Sequence, residues 1–284
     1  MTKRTTAALA ALIAIGNGVE AQELRTIGSS RVYRGERELN VVVRFGLGEF
    51  HLERETGDAL YRANVRYVED FFDPIHEYDA TGHELRLGID GHEDGNVQWD
   101  DIKDKRQRID LTISPAVRTS LQLEFGAGRA DVDLGGLTLE RASISTGASE
   151  SRVHFSRPTV APCELLDIEV GAAEFQAIGL GNANCKRIEF DGAAGKLGLD
   201  FTGEWQQAGT TQADISIGLG GLTLTFPSHL GVHIELSRLL ASFNEEGFVK
   251  RGNGYYSENY DRAAAKLDIN LQAMVGDVDV VWVR

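Results

Sequence analysis

Apolar and polar residues alternate along most of this chain in short runs that meet at glycines. Leu121, Leu123 and Phe125 lead into one such corner, and Val132, Leu134, Leu137 and Leu139 follow it. The pattern returns with Leu166, Ile168 and Val170, with Leu197, Leu199 and Phe201, and with Ile215, Ile217 and Leu219 continued by Leu222, Leu224 and Phe226. Alternation with a period of two over three to six residues predicts short strands with one buried face. No stretch holds a 3.6-residue period over ten positions, and only Arg238-Leu-Leu-Ala-Ser-Phe243 reads as a single helical turn. The expected class is all-β.

The corners recur. Taking the residue before each glycine-rich corner as a marker gives Phe125, Thr146, Val170, Phe190 and Ile217, at intervals of 21, 24, 20 and 27. The two long intervals hold insertions at 156–162 and 204–210, where stacked coils accept extra residues. A unit of this length cannot bury its apolar face alone, so each coil is expected to cover the next in a parallel, β-solenoid-like stack. The 32 glycines serve the sharp corners and the close approach of neighbouring coils. An antiparallel sandwich or barrel also uses short alternating strands, but not a fixed interval with corner glycines in phase. A membrane barrel needs strands of about 9–11 residues, longer than these runs.

Residues 22–117 have a different texture. They hold one copy of the unit, Arg44-Phe-Gly-Leu-Gly-Glu49, then three strand-like runs and the charged stretch Asp90 to Gln107. This part reads as a small, mainly antiparallel β cap over 22–117, with a seam near Pro115 and the repeat domain with its closing strands over 118–284. A cap is physically expected, because an uncovered stack exposes a strand edge. The pairing of Arg44-Phe-Gly-Leu-Gly-Glu49 with Leu123-Glu-Phe-Gly-Ala-Gly128 resembles the bacterial secreted toast-rack family, including its separate N-terminal domain. The closing segment, Gly247 to Tyr260 with Ala265-Lys-Leu-Asp-Ile-Asn270, is similar to the same family. It is also similar to the C-terminal domain of cell-wall antibiotic-response proteins and to adhesin-type β-repeat proteins. The resemblance implies a parallel β-stack outside the cytoplasm and brings no catalytic residues with it.

The first residues read as an export signal. Lys3 and Arg4 precede the apolar run Ala7 to Ile15, and Val19-Glu-Ala21 offers small residues for cleavage after Ala21. Residues 1–21 are therefore expected to be removed, leaving a periplasmic, extracellular or cell-surface protein with no transmembrane segment. The full chain carries 43 acidic and 29 basic residues, a net charge of −14, which disfavours nucleic acid and anionic lipid. Cys163 and Cys185 are the only cysteines, 22 residues apart or about one coil. Export permits a disulfide between them. Their offsets from Ile168 and Ile188 differ by two residues, which leaves a pair of buried thiols open as well.

Candidate chemistry is sparse. Asp90-Gly-His-Glu-Asp-Gly95 with Asp100 and Asp101 imitates a calcium loop, but places His92 and Asp101 where better oxygen ligands belong, so it reads as a solvated loop. His229 and His233 lie too far apart along a strand to share a zinc ion. No nucleophile elbow occurs. Glu124, Glu169 and Glu189 fall at similar phases and are expected to form an outward acidic column. Tyr255, Tyr256 and Tyr260, with Trp205 in an insertion, are candidates for ligand contact or for packing over the last coil. No catalytic, metal or cofactor-binding set emerges. The expected function is a non-enzymatic, adhesin-like interaction scaffold of the envelope, with an envelope protein or a surface glycan as partner. A hydrolase or lyase acting on polysaccharide is the alternative.

Overall fold

The computed structural model describes residues 24–92, 107–206 and 209–284. The proposed export signal and most of the calcium-like loop lie outside them. The first strands are β1 (Leu24–Val32), β2 (Glu38–Arg54), β3 (Ala59–Val68), β4 (Phe72–Asp79), β5 (Glu84–Gly91) and β6 (Arg108–Ile113). The stack proper follows with β7 (Arg118–Asp133), β8 (Thr138–His154), β9 (Cys163–Ile178), the single turn α1 (Leu180–Ala183), β10 (Cys185–Asp200) and β11 (Gly209–Pro227). The chain ends with β12 (Gly231–Phe243), β13 (Phe248–Arg251), β14 (Gly254–Ser257) and β15 (Ala265–Val283). All fifteen strands belong to one open sheet.

The repeat is a bent strand. β2, β7, β8, β9, β10, β11, β15 and β12 pair in parallel in that order. The expected runs of three to six residues are the two arms of strands 13–19 residues long, because ladder pairing resumes directly beyond each glycine corner. Each coil folds into a V, and the apolar residues of both arms face into it. One inner column runs Val41, Leu121, Ala142, Leu166, Ile188, Ala213, Ile269, Ile234, every member at most 3% exposed. Stacked pairs such as Phe45–Phe125 and Phe201–Phe226, with centroids 5.6 and 5.5 Å apart, fill the interior. Each buried ring contributes about 1.5–3 kcal/mol.

Three expectations change. Ile217 and Val170 both pair with Gly192, so the fourth corner follows Gly192 and not Phe190. The phenyl ring of Phe190 and the side chain of Leu197 occupy the space a side chain at Gly192 would take. The outward acidic row shifts accordingly: Glu124, Ser145, Glu169, Asp191 and Ser216 are neighbours, while Glu189 lies in the next row between Asp167 and Asp214. Arg238–Phe243 is strand, not a helical turn, because it pairs with Ala273–Val278 of β15. The last coils are also out of chain order: β15 inserts between β11 and β12, so the final winding closes back into the stack.

The N-terminal part mixes directions. β1 with β3, β3 with β6, and β4 with β5 are antiparallel, whereas β2 is parallel to β5, β6 and β7. β2 is in effect the first coil. Glu55, just past its end, is 6% exposed and holds the neighbouring chains together. Its carboxylate accepts hydrogen bonds from Thr112 Oγ1 (2.6 Å), the Gly57 N–H (2.7 Å) and Arg62 Nε (3.0 Å). Burial raises its pKa, but these donors outweigh burial and hold it below its ordinary value of 4.5.

Cys163 and Cys185 stand directly opposite each other on β9 and β10 and are bonded, with Cα atoms 4.1 Å apart. The staple lies at the strand starts beside Ala183, whose carbonyl accepts from Thr159 Oγ1.

At the corners, successive backbones approach too closely for side chains. A Cβ on Gly195 would lie 1.8 Å from the Ala173 carbonyl oxygen, and one on Gly220 would lie 2.1 Å from that of Gly195. Both have positive φ, +132° and +126°. Where this ladder carries Ser149 and Ala173 instead, β8 and β9 lose the pairing of 147–149 with 171–173, and the coils separate locally.

Two outcomes are expected. Gly195→Ala should lower stability by at least about 1–3 kcal/mol, while Gly221→Ala, with nothing within 4 Å of the added carbon, should be near neutral; paired thermal melts check both. For Glu55, a lowered native pKa means its contribution is complete above pH 4.5 and is lost as pH falls through the depressed native value. Denaturant midpoints of the wild type should therefore drop below that pH. Glu55→Gln should cost about 1–3 kcal/mol at neutral pH and flatten the acid limb.

Candidate binding groove at the glycine corner

Five corners carry the same three-residue signature, an outward polar residue, an inward residue, then glycine, while the last two coils place Met274 and Leu239 in the glycine position. The signature reads Arg44-Phe-Gly46, Glu124-Phe-Gly126, Ser145-Thr-Gly147, Glu169-Val-Gly171 and Ser216-Ile-Gly218, with Asp191-Gly-Ala193 between the last two. Parallel register places these units side by side. The glycine column has no side chains, so it leaves a trench whose floor is peptide backbone and whose rim is the polar row. With strands about 4.8 Å apart, the five steps from Gly46 to Gly218 span about 24 Å.

Two stretches of this trench form cavities. One of about 890 Å³ is lined by Arg44, Gly46, Glu124, Gly126, Ser145 and Gly147, and is closed at the N-terminal end by Phe72, Ile89 and Asp90. The other, of about 500 Å³, is lined by Glu169, Gly171, Asp191, Ala193, Ser216 and Gly218. Ser145 and Thr146 belong to both, which makes the groove continuous. Arg44 Nε lies 3.2 Å from Glu124 Oε2, both well exposed. Behind the rim, Asp167 has its pKa raised, first by burial; Ser143 Oγ donates to it at 3.2 Å and opposes the shift, while the charges of Glu189 and Asp191 add to it. The rim is thus rich in oxygen acceptors and hydroxyls, with one cation at its closed end.

The tyrosines singled out from the sequence lie elsewhere, at the C-terminal end of the stack. Tyr255 is 6% exposed, meets Phe243 edge-on at 5.0 Å and donates to Glu245 at 2.9 Å. Tyr256 stacks on His233 at 4.2 Å, and the Arg251 guanidinium lies over its ring at 5.2 Å. Tyr260 donates to Asp268 at 2.7 Å, and burial together with that carboxylate pushes its phenol well above the ordinary range. Lys266 sits 4.9 Å over its ring. These contacts close the last coil. His233 Nδ1 is 3.7 Å from Asp268, and His229 takes no part. Trp205 is also engaged: its Nε1 donates to the Phe201 carbonyl at 3.0 Å, over Gly181. Among the described residues no group of His, Cys, Asp and Glu is arranged to hold a metal ion.

A family model described as the N-terminal domain of toast_rack, DUF2154, matches residues 17–165, more than half of the 284-residue chain. The protein belongs to the toast-rack family. A second model, the C-terminal domain of the cell wall-active antibiotics response protein LiaF, matches residues 176–280. Solved structures with similarity to this toast-rack chain include a candidate cell adhesion protein from Clostridium sporogenes, 18% identical, covering 92% of this chain and 100% of its own, with a TM-score of 0.49. Another is a candidate adhesin from Bacteroides fragilis, 9% identical, covering 92% and 98%, with a TM-score of 0.42. No curated protein matches the chain. The groove was missed from the sequence; the signal that could have marked it is the polar residue two positions before the corner glycines, and the register shows that these residues line one trench.

The staple predicts a clear effect. Removing the Cys163–Cys185 bond by Cys185→Ser, or by reductant, should cost about 2–4 kcal/mol, read as a lower melting temperature under non-reducing conditions.

Proposed function

We propose that this protein is a non-enzymatic, exported scaffold of the cell envelope or cell surface that holds an extended partner along its corner groove. The observation that carries this reading is the trench of Gly46, Gly126, Gly147, Gly171 and Gly218 with Ala193 among them, about 24 Å long and bordered by Glu124, Ser145, Glu169, Asp191 and Ser216. A rigid parallel stack needs no rearrangement to present it, so little ordering entropy opposes binding. The rim and the net charge of −14 repel polyanions. A neutral, hydroxyl-rich glycan fits: its hydroxyls donate to the rim carboxylates, and its apolar ring faces suit Phe72 and Ile89 at the closed end. The cross-coil disulfide and the apolar run Ala7 to Ile15 support export to an oxidising compartment.

The alternative, polysaccharide cleavage, draws on Arg44, Glu124 and Asp90 sharing one cavity. A glycan array followed by calorimetry with the best neutral oligosaccharide decides between the two. Ser145→Trp, placed where the two halves of the groove meet, should weaken binding at least about tenfold with an unchanged melting temperature. Reducing ends appearing in the wild type and vanishing in Glu124→Gln would establish the enzyme instead. Absence of binding to every neutral glycan would overturn the glycan reading.

A further inference from the structure

The free edges of this sheet are not treated alike. Among the described residues, β1 pairs only with β3 and carries Arg25 and Arg31; β4 pairs only with β5 and carries Asp73, Pro74, Glu77 and Asp79; β13 pairs only with β14 and carries Lys250 and Arg251. Charges and proline on an edge discourage further pairing. The second half of β12 differs. β14 covers it only at His233–Glu235, so Leu236–Phe243 has β15 on one side and, among the described residues, no backbone partner on the other. This open edge bends through Leu239 and Leu240, which are 68% and 74% exposed, beside exposed Leu219, Met274 and Val275 of the two preceding coils. An unpaired backbone row and the most exposed leucines of the described chain therefore coincide.

We infer that this edge is a dimer interface and that its occupant is the same edge of a second copy, paired antiparallel about a two-fold axis through the corner. A V-shaped coil end matches itself when its direction is reversed, so both arms of the open edge meet an arm of the other molecule. In the register centred between Leu239 and Leu240, Leu239 faces Leu240, Ser237 faces Ser242, Leu236 faces Phe243, and Arg238 faces Ala241 of the second copy. No like charges are opposed, and leucine meets leucine at the centre. The interface is isologous and closes at two subunits, whereas docking of this edge on the β1 edge of another copy would propagate into filaments. A lipid surface satisfies the leucines but not the free N–H and C=O groups, each of which costs several kcal/mol in hydrocarbon. The dimer is independent of the corner groove, and binding of a glycan there is not a readout of it.

Sedimentation velocity across a concentration series, on the disulfide-intact protein, tests the inference. The wild type should show a reversible dimer, and Leu240→Glu should raise the dimer dissociation constant at least about tenfold. Val160→Glu, at a site 65% exposed away from the edge, should leave it unchanged. Both variants are checked for an unaltered melting temperature. Independently, Leu240→Cys should yield a disulfide-linked dimer on mild oxidation, and Val160→Cys should not. A wild type that stays monomeric at all concentrations, a dimer insensitive to Leu240→Glu, or flotation of the monomer with neutral phosphatidylcholine vesicles would each overturn it.

Discussion

The architecture depends on how closely two peptide backbones approach at the corner. An added Cβ at Gly195 or Gly276 would fall 1.8 Å from a carbonyl oxygen of the neighbouring coil, and at Gly128 or Gly220 it would fall 2.1 Å away. No side chain fits there, and the same residues have φ between +119° and +132°, which an L side chain rarely adopts. This one restriction lets an unbroken strand bend while keeping its ladder, so each coil buries both arms against its neighbours. It also explains the local parting of β8 from β9, where Ser149 and Ala173 replace glycine.

A stack built this way has two ends, and the chain handles them differently. At the start, β6 adds in parallel to the second arm of β2, β3 and β1 follow antiparallel beyond it, and the Glu55 carboxylate locks the turn beside it by accepting from Thr56, Gly57, Arg62 and Thr112. At the finish, β15 is threaded between β11 and β12, and the β13–β14 hairpin covers only part of the last coil with Tyr255 and with Phe248, which packs on Trp282 of β15. Tyr255, Tyr256 and Tyr260 each meet a neighbouring ring, and Tyr255 and Tyr260 also donate a hydrogen bond. The two binding surfaces proposed above are the trench, where side chains are missing, and the open edge, where backbone partners are missing among the described residues.

The trench and the corner share a cause. The neighbouring column meets the same limit, since an added Cβ at Gly126, Gly147 or Gly218 would fall 2.4, 2.4 or 2.5 Å from a carbonyl oxygen of the preceding coil; the missing side chains there leave a groove on the outer face, and register aligns the polar row beside it. A surface of this kind is rigid and repeats along the stack, which suits an extended ligand better than a compact one. The rim residues stand one per coil, a strand spacing apart.

Period-two alternation and the recurrence of corner glycines were local properties of the chain, and they were enough to establish the all-β class, the parallel stack and the coil length, because both patterns follow from strand pleat and steric exclusion. The pairing of Cys163 with Cys185 stayed open, since offsets to nearby apolar residues do not reveal which rungs face each other. The placement of Gly192 at the fourth corner, the exchange of Glu189 for Asp191 in the outer row, the strand at Arg238–Phe243 and the insertion of β15 ahead of β12 depended on interstrand register. Register is a contact between segments twenty to fifty residues apart, settled by which apolar faces meet and which backbones can touch, and no linear pattern records it.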